Sequence, residues 1–259
     1  SWLGTLRTFG EGAPVSPETA ARSGTPSGPM RLVFAASGAR MFTSRTGIDN
    51  TARMKKWAAR RLRELGREQL RGFIFKSRSP SSCMERVKIY SEDGLPGRIG
   101  SGIWARPFLD ANPLVPVEEE GRLRDSRLRE NFIERVFVYD RWLRLAGKRP
   151  SAGALVDFHA DHKYLIMSHS TEGLRALGRI ISRSGREKPS ALYVSYLPKL
   201  METLKLQATV KKNVNVLTHM MRYFKRQLEP DENQELREVI GDYHQGLTPL
   251  IVPVTLVRH

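Results

Sequence analysis

The 259-residue chain has a single cysteine, Cys83, and that scarcity excludes more chemistry than any other feature of its composition. One thiol cannot close a disulfide within the chain, and it leaves too few thiolates for a zinc ribbon or an all-cysteine iron–sulfur site. Long hydrophobic runs are also missing. No stretch reaches the roughly 18 apolar residues that a membrane span requires, and the start carries no apolar segment of the secretory kind. Acidic residues are in short supply: 43 Lys and Arg face 27 Asp and Glu, for a formal net charge of +16 and a pI near 10.4. That excess goes beyond what solubility needs and points to a polyanionic partner.

What is present suffices for a folded protein, since 40% of the residues are apolar. The positive charge is unevenly placed. Residues 1–150 hold 28 basic and 16 acidic side chains, and residues 40–88 hold 14 basic against 4 acidic. The densest run is Arg53, Lys55, Lys56, Arg60, Arg61, Arg63, Arg67 and Arg71, followed by Lys76 and Arg78. Nucleic acid suits this density better than a small acidic substrate; the plainer reading is a solvated helix face.

Glycine, proline and serine crowd residues 10–29 and imply a long loop. A strand is expected over Met30–Phe34. A helix capped by Asp49 or Asn50 should then run to about Leu65, with Met54, Trp57, Ala58, Leu62 and Leu65 on one face and the cations opposite. Phe73 to Phe75 reads as a buried strand that delivers the polar loop 76–82 to a site at its C-terminal end. Further expected elements are a strand over Arg86–Tyr90, a glycine-rich connection over 94–102, an apolar stretch over Ile103–Leu109 and a strand-like segment over Pro113–Val117. A long helix capped by Asp125 or Ser126 should reach Ala146 and bury Leu128, Phe132, Val136, Tyr139 and Leu143. The segment 147–153 (GKRPSAG) reads as a linker, and helical patterns follow one another from Ala154 to the end. The expected fold is therefore α/β, a Rossmann-like parallel sheet, over 1–146, followed by an all-α domain over 154–259.

Residues 155–170 (LVDFHADHKYLIMSHS), 173–179 (GLRALGR), 213–228 (NVNVLTHMMRYFKRQL) and 246–256 (GLTPLIVPVTL) resemble, in order, blocks of the YbgA-like helical domain. Upstream, 72–82 (GFIFKSRSPSS), 84–90 (MERVKIY), 114–123 (LVPVEEEGRL) and 129–137 (RENFIERVF) resemble the TudS-type, thiouracil-desulfidase-like domain. The pairing is similar to that of RudS-type tRNA thiouridine desulfidases. That resemblance implies three cysteines around a four-iron four-sulfur cluster and a helical module that helps engage tRNA.

This chain departs from the implied pattern at each ligand. The first family cysteine belongs to an N-terminal strand and loop, for which only about 15 residues stand ahead of the second motif, so the resemblance implies a parallel sheet that is N-terminally incomplete. That second motif, Pro-Val-Cys-Pro-Glu, corresponds to Pro14-Val15-Ser16-Pro17-Glu18. The third, Ser-Pro-Ser-Cys-Gly, corresponds to Ser79-Pro80-Ser81-Ser82-Cys83, so that serine holds the ligand position and the thiol comes one residue late. Hydroxyl oxygen is a hard donor, and such clusters take soft thiolates.

Other constellations read as ordinary structure. Of His159, His162 and His169, only the first two are one turn apart, and packing or hydrogen bonding suits all three better than metal. Met220, Met221, Tyr223, Phe224 and Leu228 read as helix core, flanked by a basic ridge of Lys211, Lys212, Arg222, Lys225 and Arg226. Glu118, Glu119 and Glu120 read as solvated charge balance. Ser79, Ser81 and Ser82 have no histidine partner at a recognisable spacing.

The sequence expectation is thus a non-catalytic RNA-binding protein without a cofactor, with a vestigial site at Ser16, Glu18, Ser79, Ser81, Ser82 and Cys83. Its expected partners are rRNA and neighbouring ribonucleoprotein subunits of a mitochondrial ribosome, with no membrane. The alternative is a cluster-bearing tRNA thiouridine desulfidase of the bacterial cytoplasm. A protein-docking scaffold is a third, weaker reading.

Overall fold

The computed structural model describes residues 11–12, 14–15, 17, 29–35, 38–91, 93–224 and 227–258. Ser16, Glu18, Lys225, Arg226 and most of the expected 10–29 loop lie outside the described residues. The contacts divide the chain into two units, Ser1–Leu123 and Arg124–His259.

The first unit mixes strands and helices: β1 (Met30–Ala35), β2 (Gly38–Thr43), α1 (Thr51–Leu65), β3 (Phe73–Phe75), β4 (Val87–Tyr90), β5 (Pro96–Gly100), α2 (Ala105–Ala111) and β6 (Val117–Glu119). Four strands form a sheet in the order β2-β1-β4-β5, with β1 and β4 parallel and the two outer pairings antiparallel. A separate parallel pair joins β3 to β6, with Phe75 opposite Glu119. Each sheet contains one parallel pair, in keeping with the expected α/β class. The antiparallel partners β2 and β5, which local alternation did not reveal, make the larger sheet mixed.

The core explains why α1 sits where it does. Met54, Trp57, Ala58 and Leu65 are buried and Leu62 is partly buried, together with Leu32, Met41, Phe75, Cys83, Val87, Ile89, Trp104 and Phe108. Trp57 meets Trp104 edge to face, with ring centroids 5.0 Å apart, and Phe73 and Phe108 close at 4.2 Å. The same 3.6-residue period that buries these four residues leaves Arg53, Lys55, Lys56, Arg60 and Arg63 exposed.

The second unit is all helical: α3 (Ser126–Ala146), α4 (Ala152–His169), α5 (Thr171–Ile181), α6 (Pro189–Leu204), α7 (Val210–Phe224), α8 (Pro230–Gln245) and α9 (Ile251–Arg258). Asp125 caps α3 by accepting from the backbone N–H groups of Arg127 and Leu128. Contacts place α3 here, ahead of the 147–153 segment expected as the boundary, because Val138 and Trp142 are buried with Leu155, Phe158, Leu192, Tyr193 and Tyr196. The buried stripe of α3 also differs from expectation. Asn131, Phe132, Arg135, Val138 and Trp142 face inward, whereas Leu128, Val136, Tyr139 and Leu143 are only half-buried. Two polar residues on the inner face disguise the periodicity, and Asn131 is satisfied there by donating to Leu204 O at 2.9 Å. No helix of the described residues is long and apolar enough to cross a membrane.

Candidate functional site

The chemistry-bearing residues of the first unit meet where the parallel strands β3 and β6 both end. Parallel pairing puts the two C-terminal ends on one edge, so the loop after Phe75 and the glutamates of β6 become neighbours despite their distance in sequence. Arg78 takes a left-handed backbone conformation, with φ of 58°, and turns the chain into the serine loop.

Ser79, Ser81 and Ser82 are buried and linked through their hydroxyls, at 2.9 Å between Ser79 and Ser81 and 3.1 Å between Ser81 and Ser82. Ser79 Oγ also accepts from the N–H groups of Ser81 and Ser82, at 3.2 and 3.1 Å. The loop carbonyls are equally engaged. Trp104 and Ala105 N–H donate to Ser81 O at 2.9 and 3.1 Å, and Gly102 N–H donates to Cys83 O at 2.7 Å. The start of α2 is thereby tied to the serine loop.

Glu118 and Glu119 are buried, at 4% and 9% exposure, which overturns their reading as solvated charge; Glu120 alone of the three is exposed. Glu119 Oε1 accepts from Met84 N–H at 2.7 Å and from the Cys83 thiol at 3.2 Å. Glu118 pairs with Arg122, Nε to Oε1 2.7 Å, and accepts from Glu119 N–H at 3.0 Å. The only hint in the sequence was that Glu118 directly follows the apolar run 114–117 and so stands at the end of a buried strand.

Burial pushes the Cys83 thiol above its usual range, and the hydrogen bond and charge of Glu119 push it further the same way. The described donors at this edge are thus hydroxyls, two engaged carboxylates and one protonated thiol. They do not fit an iron–sulfur cluster, which needs thiolates. The Ser82 hydroxyl, at the third ligand position of the resemblance, is occupied with Ser81.

Arg53, Lys55, Lys56, Arg60, Arg63, Arg67, Lys76 and Arg78 are exposed, and Arg61 and Arg71 are half-buried. Arg60 and Arg61 approach Glu64, and Arg61 also reaches Glu68 at 3.1 Å. Among the described residues, no acidic partner lies within ion-pair distance of Arg53, Lys55, Lys56, Arg63 or Arg67. Arg71 donates to Gln69 O.

In the helical unit Lys211 is exposed, but Lys212 is engaged by the fold, its ammonium donating to His169 O at 2.7 Å and to Gln207 O at 2.9 Å. Tyr223, expected in the core, is exposed, and only Val216 and Leu217 of α7 are fully buried. The three histidines serve separate structural roles. His159 Nδ1 meets Tyr196 OH at 2.9 Å. His162 Nδ1 donates to Phe158 O at 2.7 Å, and Arg141 donates to its Nε2 at 3.3 Å. His169 Nδ1 donates to Leu206 O. His169 Nε2 lies 3.2 Å from Glu134 Oε2, but not aligned as a hydrogen bond.

His159 and His162 are held below the usual histidine range, chiefly by burial and further by charge: Lys163, and His162 whenever it takes up a proton, act on His159, and Arg141 acts on His162. The folded state therefore keeps both neutral, while the unfolded chain takes up protons below about pH 6.5. Their neutrality stabilises the helical unit fully above that pH, and the benefit fades as pH falls toward the depressed folded values. The thermal midpoint should accordingly drop between pH 7 and 5, and the double variant His159→Gln/His162→Gln should flatten this slope. A slope unchanged in the variant would assign the acid sensitivity to other groups.

Two family profiles match the chain: 2-thiouracil desulfurase over residues 3–120, and a protein of unknown function (DUF1722) over residues 163–259. The first match contains the serine loop and the buried glutamates. Among curated proteins, the uncharacterized protein YbgA of Escherichia coli (strain K12) is 27% identical over 135 residues, which is 52% of this chain and 80% of that protein. No solved structure matches the chain significantly. Residues 3–120 are thus similar to the 2-thiouracil desulfurase family, and the helical region that follows is similar to YbgA and to the DUF1722 family, an architecture of a TudS-like domain followed by a YbgA-like one.

Proposed function

We propose that the chain is a non-catalytic RNA-binding protein, descended from a tRNA-desulfidase-like ancestor, that lays the cationic face of α1 on the phosphates of a structured RNA. The RNA is an rRNA, and the setting an organellar ribonucleoprotein such as the mitochondrial ribosome. The observation that carries this reading is the group Arg53, Lys55, Lys56, Arg63 and Arg67, exposed opposite a buried apolar stripe and with no carboxylate within ion-pair distance among the described residues. Cations left unpaired on a rigid helix and the turn that follows it contact phosphates at little ordering cost and report no base sequence. Lys76 and Arg78, exposed at the exit of β3, extend the field. The replacement of soft donors by engaged hydroxyls supports loss of the ancestral reaction, since no described thiolate remains to hold a cluster.

The full chain should sediment with mitochondrial ribosomal particles and be released by nuclease. Retention after nuclease would instead mean that protein contacts hold it, and selective capture of tRNA would move the partner to that RNA. After anaerobic reconstitution with iron and sulfide the protein should stay colourless and leave thiouridine-containing tRNA intact. A brown, four-iron protein that desulfurates it would restore the enzymatic reading.

A further inference from the structure

Tyr223 lies in the last turn of α7, two turns beyond Val216 on the same helical face, yet it is 68% exposed. An exposed tyrosine is common; this one is held. Lys163 of α4 places its ammonium 5.0 Å from the Tyr223 ring centroid and 4.8 Å from that of Tyr164. The two rings meet edge to face, with centroids 6.4 Å apart and planes at 87°. A cation over each ring and an edge against the other fix the orientation of an aromatic surface that is nevertheless open to solvent. Arg222 beside it is exposed, with no acidic group within ion-pair distance among the described residues.

A rigid, open ring on a cationic background matches one ligand chemistry closely: a flat π system carried on a phosphate chain. We propose that Tyr223, held by Lys163 and Tyr164, is a stacking platform for an unpaired nucleobase, with Lys163 and Arg222 taking the adjacent phosphates. The proposal rests on the RNA-binding reading and deepens it. Phosphate contacts on α1 are indifferent to strandedness, whereas a stacking platform makes the helical unit select bases that have left the helix.

The test uses the full chain and an RNA hairpin with 2-aminopurine in its loop, beside a blunt duplex of similar length. Binding should quench the loop fluorophore. Tyr223→Ala should lose that quench and weaken hairpin binding roughly tenfold while leaving duplex binding unchanged. Tyr223→Phe should behave as the parent. Tyr223→Leu, which keeps apolar bulk without a flat ring, should behave as the alanine variant, so that a folding defect in one variant does not decide the result. An alanine variant with parental quench and affinity overturns the stacking proposal and leaves RNA binding standing. A phenylalanine variant as weak as alanine also overturns it, because the hydroxyl and not the ring would then matter. Absence of RNA binding by the parent overturns the function reading and this proposal together. Loss of a nuclease-resistant protein complex with RNA binding unchanged identifies Tyr223 as a protein contact and overturns it as well.

Discussion

Replacing Arg53, Lys55, Lys56, Arg63 and Arg67 together with glutamine should lower the affinity of the chain for structured RNA by about two orders of magnitude near 0.1 M salt. The same change should flatten the salt dependence. Five phosphate contacts release enough counterions to contribute about −4 to the slope of log affinity against log salt, and removing them leaves only the shallower slope of the remaining cations. The fold should survive, because these side chains are exposed while Met54, Trp57, Ala58 and Leu65 hold α1 in place. Arg61 is the internal control. Engaged by Glu64 and Glu68, it has less charge to offer, and Arg61→Gln alone should change affinity by no more than a few-fold. Titrations from 50 to 200 mM salt, read by anisotropy, decide the matter. A five-fold variant that keeps the parental slope would show that α1 does not touch the RNA.

Gly102→Ala should destabilise the first unit by about 3 kcal/mol, at the upper end of overpacking costs, and lower its melting temperature by roughly 10 °C. A Cβ on Gly102 would lie 2.2 Å from Ser81 O, 2.4 Å from Ser81 C and 2.8 Å from Ser82 N. All three are backbone atoms, so no side chain can swing aside. To admit the methyl group the serine loop must move, and with it the bonds from Trp104 and Ala105 N–H to Ser81 O. Gly121 offers the contrast. Its nearest obstacle is Ser77 Oγ, at 2.6 Å, and a hydroxyl can rotate away. Gly121→Ala should therefore cost clearly less, and equal losses in the two variants, measured by calorimetry, would refute the role assigned to the close backbone approach at Gly102.

Much of the fold was legible where burial is one-sided and periodic. The α1 stripe, the strand at Phe73–Phe75 and the succession of helices after residue 152 follow from spacing alone. The strands β2 and β5 were not legible, because their residues alternate poorly and they are held by pairing to β1 and β4. On α3, Asn131 and Arg135 occupy the inner face, and a period count that accepts only apolar residues selects the neighbouring stripe. For the candidate site, the serines and Cys83 stood out in the sequence, whereas Glu118 and Glu119 did not. A carboxylate looks the same in a string of letters whether water or a thiol solvates it.

From its sequence alone this protein is a strongly basic chain with one thiol, its cations gathered opposite an apolar helix stripe, and too few soft donors for a cluster. Those properties are sums and short-range periods, and they need no knowledge of what lies nearby in space. Tertiary structure alone decided that Glu119 meets Cys83 across 36 residues, that Lys212 caps carbonyls, and that Tyr223 stands clear of the core under Lys163. Each depends on which distant segments pair or pack, and in a parallel strand pair or a helix bundle that choice is made by the whole core acting at once.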